Sequence, residues 1–356
     1  MLYPLATPVT EERGYIEMPS IPVGAEISIP ELDDLGVKHC VDASARDLAM
    51  MWYDRARGEY ADRLDGLDDD LVDTYGEIIS ANARIDGIDM NEDYDQQVLN
   101  GTYAGRNIQT ILGTNSFDAT ISALHSRIAS ANFSGLRVGD FINVNCGTYG
   151  TVRFDIAHFD PYYQMGSSAM GHHICFVAHK PIALPSGDAY GTNNTYLAWN
   201  TTNTNQGTEA EPAPYLASHL HDWEINKLLP AMPTSLTDNL INRWEYLETR
   251  YAAAGGLTAS TGRAWKQLGK VWSLSEMEVY GAVVWGTPGQ SVGIDRQFDI
   301  FRRIWSQLHG ERTAGWLRTP SGVSASNVCC VNSNGIAHTY SATYGGVRPR
   351  PGFLLG

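Results

Sequence analysis

The chain has 356 residues, 43% of them hydrophobic, and a formal net charge of -15; that is enough apolar material for one large or two ordinary cores, and the charge disfavours phosphate backbones as partners. No basic stripe interleaved with aromatics occurs, so no nucleic-acid partner is expected. No apolar run approaches the roughly 20 residues of a bilayer span, and MLYPLATPVTEERGY lacks the basic and apolar parts of a secretion signal, so no membrane partner is expected either.

Residues 1–40, with Pro4, Pro8, Pro19, Pro22 and Pro30 and the strand-like piece EISIPEL, predict an extended arm that lies on a neighbour. Residues 41–134 predict helices. Ser44 caps a run in which Leu48, Met51, Trp52, Ala56, Tyr60 and Leu64 approximate a 3.6-residue period. A second run opens on Asp68, Asp69 and Asp70, read as a solvated helix start because an EF-hand would need alternating ligands and a closing Glu. The third, SFDATISALHSRIASANF, ends near Ser134.

From residue 135 to 356 the text becomes β-like and rich in tryptophan, which predicts a loop-rich α+β domain. Within it, HHICFVAH puts His173, Cys175 and His179 on one strand face. Zinc accepts those residue types, but a flat strand is a poor chelate, so histidines bonded to backbone are the expected reading and whether His172, His173 and His179 hold a metal stays open. Five scattered cysteines without a C-x-x-C pair predict reduced, buried thiols made in a cytosol. In SLSEMEVYG, Glu276 and Glu278 lie two apart and diverge on a helix, so a capped start at Ser273 or Ser275 accounts for them better than a catalytic pair. A calcium-lectin reading fails at Glu211-Pro212-Ala213, which lacks the third oxygen, and at Trp199-Asn200-Thr201, which precedes it. No nucleophile elbow, P-loop, dinucleotide or H-E-x-x-H motif occurs. No catalytic residue, metal or cofactor is therefore assigned, and the protein is read as not an enzyme.

Residues 125–356 resemble an uncharacterised domain family of phages and prophages, most specifically in SEMEVYG at 275–281 and in the closing motifs Trp316-Leu317-Arg318 and Gly346-Val347-Arg348-Pro349. The closing pair is also similar to the carboxyl end of C-type-lectin-like folds in phage tropism proteins and in relatives of the formylglycine-generating enzyme. That resemblance implies a last strand returning beside the domain's first strand, and a small sheet built on the W-L-R strand. The enzyme's cysteine spacing has no match here, and fold alone carries no activity.

The resemblance implies a virion structural protein, synthesised in the bacterial cytoplasm, in which the arm and helices attach to capsid or tail proteins and a lectin-like head faces outward. Host attachment is an expected use of that head; a dedicated tail protein that binds a host glycan or protein and a glycan-degrading adsorption enzyme stand as alternatives. A homo-oligomer is expected, with a trimer as first guess. Between the closing motifs, SGVSASNVCCVNSNGIAHTYSATY has the Ser, Asn and Tyr composition of adaptable binding surfaces, with Asn334-Gly335 as its turn. Its candidate ligand contacts are Ser324, Ser326, Asn327, Asn332, Asn334, His338, Tyr340 and Tyr344. Trp316, Arg318 and Arg348 are read as structural, with Glu276 or Glu278 the expected acidic partner of the arginines.

Overall fold

A computed structural model describes residues 3–4, 26–28, 39–40, 94–98, 103–185, 195–303 and 312–356. The chain divides into two compact units, Met1–Glu92 and Asp93–Gly356. In the first, strands β1 (Tyr3–Pro4), β2 (Glu26–Ser28) and β3 (His39–Cys40) form a sheet in that order, β1 parallel and β3 antiparallel to β2. Strand β2 falls in the EISIPEL piece; the helices expected after Ser44 and at Asp68–Asp70 lie outside the described residues.

The second unit mixes helices with small antiparallel sheets. Helix α1 (Ile108–Ile111) is capped by the Asn107 side chain, and α2 (Phe117–Ala129) by Ser116, whose Oγ accepts from the Ala119 N–H. Thr120, Ile121, Leu124 and Ile128 give α2 one buried stripe. Its His125 Nδ1 lies 2.7 Å from the carbonyl of Gly356, the other end of the unit. The change of class expected at residue 135 thus falls inside this unit.

Five strands make the main sheet. They are β4 (Phe141–Asn145), β5 (Thr151–Phe159), β6 (Ile174–Ala178), β9 (Trp272–Ser273) and β13 (Pro351–Leu355), in the order β4-β5-β6-β13-β9. Strand β6, ICFVA, is buried at every residue, as a continuous apolar run requires. Such a strand needs a neighbour on each edge. Strand β5 supplies one and the closing strand the other, with Phe353 opposite Phe176. The last strand therefore does not return beside β4, the first strand of this region, but enters between β6 and β9. Pro351 heads it in register with Ser273, the strand-start position that a proline tolerates. The Phe154, Phe176 and Phe353 rings pack at 4.9 and 5.4 Å at the centre of the core.

Strands β7 (Arg243–Thr249) and β8 (Gly262–Gly269) form a separate hairpin. Strands β10 (Gly315–Pro320), β11 (Asn327–Val331) and β12 (Ala337–Ser341) form a three-stranded sheet, β12 at its edge, and Trp316-Leu317-Arg318 lies on β10 as the resemblance implies. Between the sheets sits α3 (Glu276–Tyr280), started by a full capping box in which Ser275 Oγ accepts from the Glu278 N–H and Glu278 accepts from the Ser275 N–H. Gly281 ends it at φ 71°, a left-handed cap that suits glycine.

Candidate recognition surface

The surface rests on buried charge. Arg318, projecting from β10, donates to Glu278 Oε2 at 2.6 Å and to Asp295 Oδ2 at 2.5 Å. Arg243 of β7 donates to Asp295 Oδ1 at 2.6 Å and Glu245 Oε2 at 2.7 Å, and lies over the rings of Tyr162 and Trp272 at 3.9 and 4.2 Å. All of these charged side chains are at most 4% exposed. Buried charges persist only when paired and hydrogen-bonded, so this cluster locks β7, α3, β10 and the 281–298 loop to one another. Burial pushes the Asp295 carboxyl up to about 6, against the pull of Arg318 and with the push of Glu245.

The expected pairing of arginine with the SEMEVYG acids is therefore half right. Arg318 meets Glu278. Arg348 does not; its guanidinium reaches Thr195 Oγ1 at 3.3 Å and lies over Tyr196, while its backbone pairs with Ala314 and Trp316. The buried arginine near the closing motif is Arg350, one residue beyond it, which donates to the carbonyls of Ala178 and His179. A spacing argument cannot choose between arginines two apart, because both face the same side of an extended chain.

Glu276 has a different partner. Its carboxylate accepts the N–H groups of Val284, Trp285 and Gly286 at 2.8 to 3.1 Å. Glu245 accepts from the Ile294 N–H, and Glu248 from the hydroxyls of Ser260 and Ser291. An irregular loop is thus fixed from beneath by carboxylates, each meeting backbone or hydroxyl donors that would otherwise be buried unpaired. The loop presents Val284 and Trp285, 51% and 41% exposed. It packs tightly on the small sheet: Gly322 N–H donates to the Trp285 carbonyl, and a Cβ on Gly322 would come within 2.5 Å of the Gly286 oxygen.

The β11–β12 hairpin completes the surface. Its turn closes through Asn332 N–H to Ile336 O at 2.9 Å, with Gly335 at φ 84°, as Asn334-Gly335 predicts. Tyr280 donates to the Gly335 carbonyl and the Trp285 indole to the Ala337 carbonyl, both at 3.2 Å, so helix and loop brace the turn. On β12, His338 and Tyr340 share a face, their rings 4.6 Å apart; Tyr344 stacks on Tyr340 at the same spacing. Tyr344 closes over Gly346, where a Cβ would lie 2.5 Å from the ring.

Of the expected contacts, His338, Tyr340, Tyr344 and Asn332 come together; Asn332 Oδ1 lies 3.5 Å from the Tyr340 hydroxyl. Asn334 sits exposed in the turn. Ser324, Ser326 and Asn327 do not join them. Ser324 Oγ accepts the N–H groups of Ser326 and Asn327, its carbonyl accepts from Asn205 and Arg250, and the Ser326 carbonyl accepts from Ala342. These three organise the base of the hairpin, a use of short polar side chains that competes with ligand contact. Trp316 is buried with its indole on the Leu197 carbonyl, the structural role expected of it.

Trp285, Val284 and the 55% exposed Ile336 belong to the surface and escape sequence reasoning. One signal marks them: no Asp, Glu, Lys or Arg occurs at 279–294 or at 319–347. The histidines of HHICFVAH are spread among other duties, His172 on Asp160, His173 on the Gly171 carbonyl and the Tyr162 N–H, His179 on Asp155. Among the described residues no three His, Cys, Asp or Glu side chains converge as a metal would need. Burial pushes the Cys146 and Cys330 thiols up to about 12, which makes them inert.

Residues 192–355 match a family model described as a domain of unknown function, DUF6273, so the similarity takes in β7 to β13, the charge cluster and the hairpin. Neither a curated protein nor a solved structure matches the chain.

Proposed function

We propose that this protein is a non-enzymatic structural component of a bacteriophage virion, whose second unit is a lectin-like head displayed on the particle and used for host attachment. The observation that supports attachment is the uncharged ledge of Trp285, Ile336, His338, Tyr340 and Tyr344, held by a buried ion cluster, which is the build of a preorganised binding surface. The particle setting rests on the resemblance in SEMEVYG, W-L-R and G-V-R-P. What supports the lectin-like reading is the place of W-L-R in a small second sheet; the closing strand, paired with β6 and β9 and not with β4, departs from it. The non-enzymatic reading is supported by the converging carboxylates Glu245, Glu278 and Asp295, which bind guanidinium groups where a glycosidase would aim them into a cleft.

On this reading the segments before Asp93 serve attachment to capsid or tail proteins, and the head assembles as a homo-oligomer, a trimer by analogy with virion spikes. Proteolytic peptide mapping of purified particles is the test. Stoichiometric recovery of the chain in intact virions is expected, and its absence from them would overturn the proposal. Labelling with antibody to the hairpin then separates a head decoration from a tail component.

A further inference from the structure

Strand β12 is an edge, and its hydrogen-bonding groups have a definite imbalance. The bonds from Asn332 N–H to Ile336 O and from Ala342 N–H to Ser326 O set the parity of the β11–β12 ladder. Even-numbered residues point their backbone groups at β11; Ala337, Thr339 and Ser341 point theirs outward. Of the three outward carbonyls, Ala337 is taken by the Trp285 indole and Ser341 by the Tyr344 N–H. Three N–H donors and the single Thr339 carbonyl remain without partners among the described residues.

Both ends of this edge are occupied. Trp285 stands at Ala337, and at the other end Ser341 Oγ donates to Asn203 Oδ1 at 2.6 Å. The open stretch from Ala337 to Ser341 is about 14 Å long at the rise of a strand. A partner β-strand would have to displace the indole and would bring as many donors as acceptors. A ligand dense in oxygen acceptors and no longer than two or three sugar rings matches better. Charge narrows the class further: the two segments that form the surface, 279–294 and 319–347, carry no Asp, Glu, Lys or Arg, in a chain of net charge -15. An anionic glycan would meet the repulsive field of the whole protein with no cation to hold it.

We infer that the β12 edge binds an uncharged saccharide, whose hydroxyl or acetamido oxygens accept from Thr339 and its neighbours while the ring lies against Trp285 and the Tyr340–Tyr344 stack. This rests on the proposed attachment role and names the chemistry it would use.

The test is retention of the full chain on a panel of immobilised neutral oligosaccharides (glucan, mannan, galactan and N-acetylhexosamine oligomers) beside uronate and sialylated ones. Binding to at least one neutral class is expected, unchanged between about 0.05 and 0.5 M NaCl because no ion pair is made. Trp285→Ala and Tyr344→Ala are each expected to weaken it roughly tenfold, as loss of a central aromatic contact does, in variants that still melt cooperatively although each has lost a contact that braces the hairpin. Retention only on acidic members, no retention, or binding that survives both substitutions overturns the inference. Host cells oxidised with periodate separate it from the attachment reading: binding that survives oxidation but is lost in both variants leaves attachment standing and removes the saccharide.

Discussion

Arg318 and Arg348 differ in what surrounds them, and their substitutions should differ accordingly. Removing Arg318 takes from Glu278 and Asp295 one of their two guanidinium partners, at 2.6 and 2.5 Å, and leaves three buried carboxylates to Arg243 alone. Arg318→Met is expected to cost about 3–5 kcal/mol in chemical denaturation. Arg348→Ala, which removes one long hydrogen bond and a ring contact, should cost about 1 kcal/mol or less. Equal losses would contradict the placement of the buried cluster. Glu248 makes a pH prediction. Burial pushes its carboxyl up to about 7 from 4.5, against the hydroxyls of Ser260 and Ser291 and the charge of Arg250. Between those values the unfolded chain releases a proton that the folded chain keeps, so this contribution to stability, complete below 4.5, is lost as pH rises through 7. Glu248→Gln should therefore gain on the wild type by about 2–3 kcal/mol between pH 5 and pH 8 in denaturant titrations; a gap that does not widen with pH would refute it. Arg318 and Arg348 were legible in the sequence as structural arginines, but their environments were not, because burial is set by strands far apart in the chain.

At the scale of elements, local chemistry was the most legible. Ser275 marks a capped helix start ahead of two acids, SFDATISALHSRIASANF a helix, Asn334-Gly335 a hairpin turn and HHICFVAH a strand; each depends on neighbours within a few residues. What stayed hidden was assembly over long separation. The closing strand's insertion between β6 and β9 depends on partners at 174–177 and 272–273, and nothing in its own residues names them. That insertion is tight: a Cβ on Gly352 would come 2.7 Å from the Phe176 carbonyl oxygen, whereas none would meet anything within 4 Å at Gly171. Gly352→Ala should therefore lower the melting temperature or abolish soluble folding, and Gly171→Ala should leave both nearly unchanged. A tolerated Gly352→Ala would show that β13 does not lie between these strands. Ser324, Ser326 and Asn327 teach the converse lesson, since the composition that suits a binding loop equally suits the turn that supports one.

For the whole molecule, the distribution of charge carries the functional argument. The paired charges of the Arg243 and Arg318 cluster are buried beneath the ledge of Trp285, Tyr340 and Tyr344, and the two segments that form that ledge, 279–294 and 319–347, carry no Asp, Glu, Lys or Arg. Such a surface gains specificity from fixed geometry, which the ion cluster and the carboxylate-pinned loop supply, and gives up long-range steering in return. The candidate hairpin was legible from its Ser, Asn and Tyr content; its second half, the Trp285 loop, was not, because it reaches β12 only through Glu276 and the fold of the small sheet. The most direct measurement is binding of the labelled full chain to host cells, wild type against Trp285→Ala and Tyr344→Ala, with melting curves recorded for each. Both variants are expected to stay folded, each with a cooperative melt, and to lose most cell binding. Undiminished binding by two folded variants would contradict this.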